Sequence, residues 1–277
     1  MKSPLLYAGV LFGVSLLTGC AELPPGAAGL GYEKCVINEK PVPADIANSD
    51  NGDFKWFSGQ WYFDKRPSSD LYKLQDGVLA ISQGGDLISV PRDFSKGRLP
   101  ALPGANGFYV EFEVQLSDND PDHFPAVWLM PVEHNRKKDD QYSGDPAGFE
   151  RFLEIDVMEK MAYKGPGLIG TIHNWSGIYP HYKDLENPNN VSKLPIDFSK
   201  KHIFGASYDP KGKEVTWWVD GVRQMSIAAP YIPDIAEKQL FHLIISAQSH
   251  GKKVPYTMLI SGVRAYVPKD SPLPSAD

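Results

Sequence analysis

Past its first stretch, the chain alternates short apolar runs with turn residues and rarely shows the three-to-four-residue spacing of an amphipathic helix. The clearest segment is 108–116. There Phe108, Val110, Phe112, Val114 and Leu116 share one face and Glu111, Glu113 and Gln115 take the other. This predicts a strand with one buried face and one that is either solvated or cleft-lining. Further strands are predicted at 57–63, 72–75, 78–82, 87–90, 125–130, 151–160, 168–175, 201–208, 214–219, 222–227, 240–247 and 256–267. Asp76-Gly77 and Asp220-Gly221 read as hairpin turns, because a two-residue turn of that kind needs positive φ at both positions. Residues 133–149 and 176–190 read as loops, and only 233–239 reads as briefly helical. Many short strands separated by turn signals predict an all-β fold, a jelly-roll sandwich of two curved antiparallel sheets.

One strand departs from the rule. In Arg151-Phe152-Leu153-Glu154-Ile155-Asp156-Val157-Met158-Glu159-Lys160, alternation places Glu154 and Asp156 on one face and Leu153, Ile155 and Val157 on the other. Strict alternation would put Met158, not Glu159, beside the first two acids. One bulged residue at Val157-Met158 shifts the phase and brings Glu159 to the acidic face. Three carboxylates so arranged raise one another's pKa, which suits acid–base chemistry. With a bulge, Glu154 and Glu159 lie roughly 13 Å apart at Cα. Side chains leaning together reach about 5 Å between carboxyls, the separation of retaining glycoside hydrolysis, in which one carboxylate attacks and the other acts as acid, then base. The competing reading is a solvated polar face on an edge strand.

The N-terminus bears on location. Met1-Lys2 is followed by an apolar run at 5–17, too short to span a bilayer, and by Leu17-Thr18-Gly19-Cys20. This resembles a bacterial lipoprotein signal with Cys20 as the lipidated mature N-terminus. An ordinary signal peptide with an incidental cysteine is the alternative. Residues 1–19 are then the signal, 20–50 lipidated cysteine and tether, 51–270 the working domain and 271–277 a tail. Because Glu22 is not the aspartate that often retains lipoproteins at the inner membrane, outer-membrane or periplasm-facing anchoring is expected. With Cys20 lipidated, Cys35 is expected to stand alone as a thiol. No Cys/His spacing indicates a metal site. A net charge of −6 argues against nucleic acid as partner, and an aromatic content of 12% leaves rings for a sugar cleft.

The acidic run resembles the bulged signature of glycoside hydrolase family 16, the laminarinase, agarase, carrageenase and lichenase group. Other segments agree in order over roughly residues 50–267. They are Phe124-Pro125-Ala126-Val127-Trp128-Leu129-Met130-Pro131, Gly170-Thr171-Ile172-His173-Asn174-Trp175, Trp217-Trp218-Val219-Asp220-Gly221 and Phe241-His242-Leu243-Ile244-Ile245-Ser246. Departures are Phe124 at the first aromatic of its segment, and Ser246 with Gln248-Ser249-His250-Gly251 where the family often has Asn and then Gly-Gly. The resemblance implies a legume-lectin-like jelly roll with a cleft. It implies Glu154 as nucleophile, Glu159 as acid/base and Asp156 as modulator of the nucleophile's charge. No cofactor is required. Family members often carry a structural calcium, but no Asp-rich loop here identifies one.

Substrate-binding candidates are Trp128, His173, Trp175, Gln248, His250 and Phe124. Buried packing is the alternative for Trp128 and a structural role for His173. Of Trp217 and Trp218, which point to opposite faces, one is expected in the core and one at the cleft. Tyr179, His181 and Tyr182 are expected on a long loop, as cleft rim or as incidental aromatics. Trp56 and Trp61 are expected to pack. The expected function is an endo-acting retaining glycosidase of a β-linked polysaccharide, laminarin-type β-1,3-glucan first, working as a lipid-anchored monomer. A non-catalytic carbohydrate-binding lipoprotein and an envelope transglycosylase on the same fold are the alternatives.

Overall fold

The computed structural model describes residues 23–50, 52–92, 97–135, 140–161, 163–188, 190–249 and 254–273, with the side chain of Lys193 excepted. His250, proposed above for substrate binding, and Cys20, proposed for lipidation, lie outside the described residues.

A four-residue helix, α1 (Pro25–Ala28), precedes the strands. In chain order these are β1 (Lys34–Glu39), β2 (Ile46–Ala47), β3 (Trp56–Ser58), β4 (Tyr72–Gln75), β5 (Val78–Ser82), β6 (Asp86–Ile88), β7 (Leu102–Pro103), β8 (Phe108–Leu116), β9 (Phe124–Pro131) and β10 (Glu150–Glu159). Then come β11 (Gly167–Ile169), β12 (Ile172–Ile178), β13 (His181–Glu186), β14 (Val191–Pro195), β15 (His202–Asp209), β16 (Glu214–Val219), β17 (Val222–Ile227), β18 (Leu240–Gln248) and β19 (Thr257–Val267).

They form two sheets. The first runs β17-β16-β15-β8-β19-β5-β4, with β1 also on β19. The second runs β13-β12-β10-β9-β18-β6-β3-β2, with β11, β14 and β7 attached beside it. Pairing is antiparallel except between β2 and β3. Two sheets of alternating strands must bury their facing apolar sides, and they do so against each other. Phe108, Val110, Phe112, Val114 and Leu116 of β8 meet Leu153, Ile155 and Val157 of β10 and Phe241, Leu243 and Ile245 of β18 in one core. Each large apolar side chain so buried contributes roughly 1.5–3 kcal/mol. The turns at Asp76-Gly77 and Asp220-Gly221 carry positive φ at both residues, as their hairpins require.

Beyond the core, the second sheet turns its other face outward. A smaller apolar cluster of Phe57, Ile88, Met130, Phe152 and Ile244 lies there, edged by Trp61, Trp128, Trp175 and Tyr182.

Several expectations are corrected. The strand expected at 57–63 ends at Ser58, and turns follow. The segment read as tether contributes α1 and β1, and β1 pairs with β19, so the folded unit extends back before residue 51. Glu111 is neither solvated nor in a cleft. It is 3% exposed on the outer face of the first sheet, bound by the Tyr109 hydroxyl at 2.8 Å and the Arg264 guanidinium at 2.6 Å. The loop expected at 176–190 is largely the β12–β13 hairpin, which holds Tyr182 in register opposite Gly177. Trp217 is core, as one of the pair had to be. Trp218, however, packs on the outer face of the first sheet with Tyr109 and Tyr266, not at the cleft. Cys35 is disulfide-bonded, which overturns the lone thiol; its partner lies outside the described residues.

The β9–β10 register slips between Asp156 and Met158. Asp156 pairs with Trp128 and Met158 with Val127, so Val157 is the extra residue. Val157 and Met158 both sit in the core. A bulge turns a backbone carbonyl out of the ladder, and a buried carbonyl needs a donor. Trp217 Nε1, from the opposite sheet, donates to the Asp156 carbonyl at 2.7 Å. Gly170 makes room for it: a Cβ there would lie 2.4 Å from Trp217 Nε1. Trp217→Phe and Gly170→Ala are each expected to destabilise the fold by about 1–3 kcal/mol, read by urea unfolding. Unchanged midpoints in both would remove this cross-core bond as a determinant of the bulge.

Candidate active site

The bulge delivers what the alternation needed. Glu154, Asp156 and Glu159 line one cleft on the outward face of the second sheet, with Phe124, Ala126 and Trp128 of β9 and Ser246 and Gln248 of β18. Gln60 and Tyr62, from the turn after β3, complete it, and its volume is about 190 Å³. Leu153, Ile155 and Val157 take the opposite, buried face.

Each acid has its own holder. Trp175 Nε1 donates to Glu154 Oε2 at 2.7 Å. Thr171 Oγ1 donates to Glu159 Oε2 at 3.2 Å and accepts from Asn190 Nδ2 at 3.1 Å. Asp156 faces His173, whose Nε2 lies 3.3 Å from Asp156 Oδ2. His173 Nδ1 lies 2.6 Å from Asp184 Oδ2 on β13. Oxygens of Glu154 and Asp156 and a nitrogen of His173 fall within 4.8 Å of one another. The β10–β12 register produces these contacts by pairing Glu154 with His173 and Phe152 with Trp175. Trp175 is stacked between Phe152 and His173.

The electrostatics follow from crowding. Burial, then Asp156, pushes Glu154 up to about 8, with His173 and the Trp175 N–H pulling it back. Burial, then Asp156 and Glu154, pushes Glu159 up to about 9. Desolvation alone would lower His173, but Asp156, Glu154 and Asp184 outweigh it and hold the ring protonated, near 11. With His173 charged, both its nitrogens donate. The set therefore places one cation beside Asp156 and Glu154, and two carboxyls, Glu154 and Glu159, that both keep their protons well above the usual carboxylate range.

Most of the predicted site residues meet here. Trp128 and Phe124 line the cleft, and Trp128 Nε1 donates to Ser246 Oγ at 3.0 Å. Trp175 and His173 hold acids, so their first role is positional. Gln248 lines the cleft and is bound to Asp86. The sequence reading missed Thr171, Asp184, Gln60, Tyr62 and Asp86. Thr171 alone had a nearby signal, the Gly170-Thr171-Ile172-His173 segment. Asp184 arrives on the adjacent hairpin strand β13, and Gln60, Tyr62 and Asp86 reach the site from far away in the chain.

Three groups of His, Asp and Glu lie close enough together to hold a metal among the described residues. Two of them share His173, and the third is His134, Asp140 and Glu150. Calcium takes six to eight oxygens, and each group includes a histidine, so none fits a structural calcium.

No profile of a known protein family and no curated protein matches the sequence. Solved structures do match. A β-porphyranase from the human gut bacterium Bacteroides plebeius superposes with a TM-score of 0.58 at 17% identity, over 84% of this chain and 94% of that one. LamA from Z. galactanivorans, solved with laminaritriose and laminaritetraose, gives 0.53 at 14%, over 85% and 99%. The laminarinase from Rhodothermus marinus gives 0.50 at 16%, over 84% and 97%. The chain shares its two-sheet jelly-roll fold with these structures.

The raised acids have a thermodynamic consequence. Glu159 binds its proton more tightly folded than unfolded, so its contribution to stability is greatest below its unfolded pKa of 4.5 and is lost as pH rises toward about 9. Glu159→Gln removes that loss. The variant is expected to melt above wild type by a margin that grows from pH 5 to pH 9, with about 2–4 °C for each kcal/mol relieved. A margin constant with pH, read by thermal unfolding, would mean that Glu159 titrates normally.

Proposed function

We propose that the protein is an endo-acting retaining glycoside hydrolase of a β-linked polysaccharide. The observation that carries this is the bulge, which turns Glu154, Asp156 and Glu159 into one cleft floored by Trp128. Three buried like charges are costly to fold, and a binding module gains nothing from them.

The geometry supports a double displacement. Glu154, oriented by the Trp175 N–H, attacks the anomeric carbon as a carboxylate, and the bond to the leaving oxygen breaks. Glu159 gives its proton to that oxygen, so the departing chain leaves as an alcohol. A glycosyl ester on Glu154 results. Glu159, now a carboxylate held by Thr171, takes a proton from water, and the hydroxide attacks the anomeric carbon. Glu154 is released and Glu159 is protonated again. Asp156, between the two, faces His173 and raises the pKa of Glu154.

Laminarin-type β-1,3-glucan is the substrate we put first. Trp128 offers a ring face to a pyranose, and among the described residues lining the cleft there is no lysine or arginine to bind sulfate. Glu159→Gln is expected to lower kcat by about 10²–10⁴-fold and Glu154→Gln by at least as much, with circular dichroism unchanged. Reducing ends released from laminarin, mixed-linkage glucan, agarose, carrageenan and xyloglucan provide the readout. Full activity in either variant would refute the assignment.

We also propose a lipid anchor on Cys20 and attachment at the outer membrane. Lipidation of Cys20 would leave Cys35 as a thiol, so the anchored form is expected to lack the Cys35 disulfide. The anchored protein is expected to yield a diacylated Cys20 peptide by mass spectrometry and to leave the membrane fraction on Cys20→Ala. A Cys20–Cys35 cross-linked peptide with unchanged partition would refute the anchor.

A further inference from the structure

Four strands side by side carry a row of residues across the cleft. Glu159 is in register with Ala126, Ala126 with Ser246, and Ser246 with Asp86. At three strand spacings, Glu159 and Asp86 stand about 14 Å apart at Cα. Ala126 leaves the space between them open. One side of this trough is the acid set; the other is built around Asp86.

Asp86 is 1% exposed. Its Oδ1 accepts from Gln60 Nε2 at 2.7 Å and from Ser246 Oγ at 2.6 Å, and its Oδ2 accepts from Gln248 Nε2 at 3.0 Å. The other Gln60 N–H reaches Ser246 Oγ at 3.3 Å. The Tyr62 hydroxyl stands beside Gln248. Burial pushes Asp86 up to about 6 against its three donors, which leaves it ionised at neutral pH.

An ionised carboxylate only accepts hydrogen bonds. Both glutamines therefore turn their nitrogens toward Asp86, which leaves the carbonyl oxygen of the part-exposed Gln248 for whatever fills the trough. Gln60 Oε1 is buried and has no partner. The Ser246 proton and the Trp128 N–H are likewise spent within the wall. The wall thus presents acceptors over a buried negative charge, and among the described lining residues the Tyr62 hydroxyl at the rim is its one uncommitted donor.

We propose that Asp86 makes this wall a selector for unsubstituted sugar hydroxyls, so that the ring lying between Glu159 and Ser246 belongs to a neutral glycan. Hydroxyls supply the missing donors. A sulfate ester or carboxylate brings oxygens against oxygens over a buried anion. A site built to accept from a hydroxyl rejects a group that has no proton to give, because its acceptors stay unpaired. The proposal rests on reading the cleft as a polysaccharide site. It goes further by assigning Asp86, which touches no substrate, as the positioning residue for specificity.

The test uses inert Glu154→Gln protein and matched pairs of laminarin and agarose oligosaccharides with and without chemical sulfation. Binding is read by calorimetry, and wild-type cleavage of the same pairs is measured alongside. The inert protein is expected to bind an unsulfated member at least about tenfold more tightly than its sulfated partner. Adding Asp86→Asn lets the glutamine amides turn, and is expected to cut that ratio to below about threefold through weaker neutral binding. In the active enzyme, Asp86→Asn raises KM for the neutral chain by more than it lowers kcat. If Asp86→Asn does not fold, Gln248→Leu, which removes one acceptor at the half-exposed rim, is expected to weaken neutral binding in the same way. Equal or tighter binding of the sulfated member, no binding of either member in both pairs, or an unchanged ratio in the variant overturns the proposal. Discrimination in binding without cleavage by wild type would instead sink the hydrolase reading and leave the selector standing. Cleavage without discrimination would do the reverse.

Discussion

A single indole N–H crosses the core to meet a backbone carbonyl, and the site depends on it. At the bulge in β10 the Asp156 carbonyl leaves the ladder and points into the sandwich, where no strand can pair it. Left alone, it would cost on the order of 1–3 kcal/mol. Trp217, from the opposite sheet, supplies the donor. The bond holds the phase shift in place: Val157 and Met158 both sink into the core, and Glu159 comes up on the face of Glu154 and Asp156. Gly170 is part of the same arrangement, because any side chain there would collide with the Trp217 ring. The residue after it, Thr171, binds Glu159, and its carbonyl accepts from the Asp156 N–H at 2.8 Å. One tripeptide of β10 is thus held from the sheet behind it and from the segment beside it.

Concentrating three carboxylates in a half-dry cleft works against folding, and the surrounding residues limit the damage without removing it. His173 neutralises part of the charge, and Asp156, then Glu154 and Asp184, keep it protonated against its burial. Burial and mutual repulsion push both Glu154 and Glu159 up, and His173 draws both back. On the proposed mechanism, that keeps a proton within the set for the first step.

The sandwich was legible because its information is local. Alternation in β8 and the Asp-Gly turns specify a strand and two hairpins within a few residues each. The bulge was legible too, since Glu159 was out of phase with its neighbours in an otherwise apolar strand. What escaped was written across distances. Asp184 lies in His181-Tyr182-Lys183-Asp184-Leu185-Glu186, a polar, exposed strand at the edge of the sheet, where no burial pattern marks a strand. Asp86 and Gln60 stand some 160 and 186 residues before Ser246, and the pairing of β18 with β6 and of β6 with β3 unites them. Trp218 was misassigned because alternation says that it leaves the core and does not say which outer surface it reaches. Glu111 went astray similarly: a charge on the face opposite the core looks solvated until Arg264 and Tyr109 are known to cover it.

Sharing a fold does not convey a substrate. The matched structures include one solved with laminarin oligosaccharides and a porphyranase, and their common sandwich favours neither. The acid row cannot discriminate either, because any β-linked chain presents an anomeric carbon and a leaving oxygen. On the proposed reading, discrimination comes from residues that meet the rest of the ring, and in this chain the cleft is lined from β9, β18 and the turn after β3. A carboxylate beneath that wall polarises it in one direction only. Asparagine at position 86 could turn either end of its amide to a glutamine and leave the wall undecided between donors and acceptors. Aspartate cannot, and so, on the proposed reading, a buried acid that never meets the sugar fixes which end of the Gln248 amide the sugar meets.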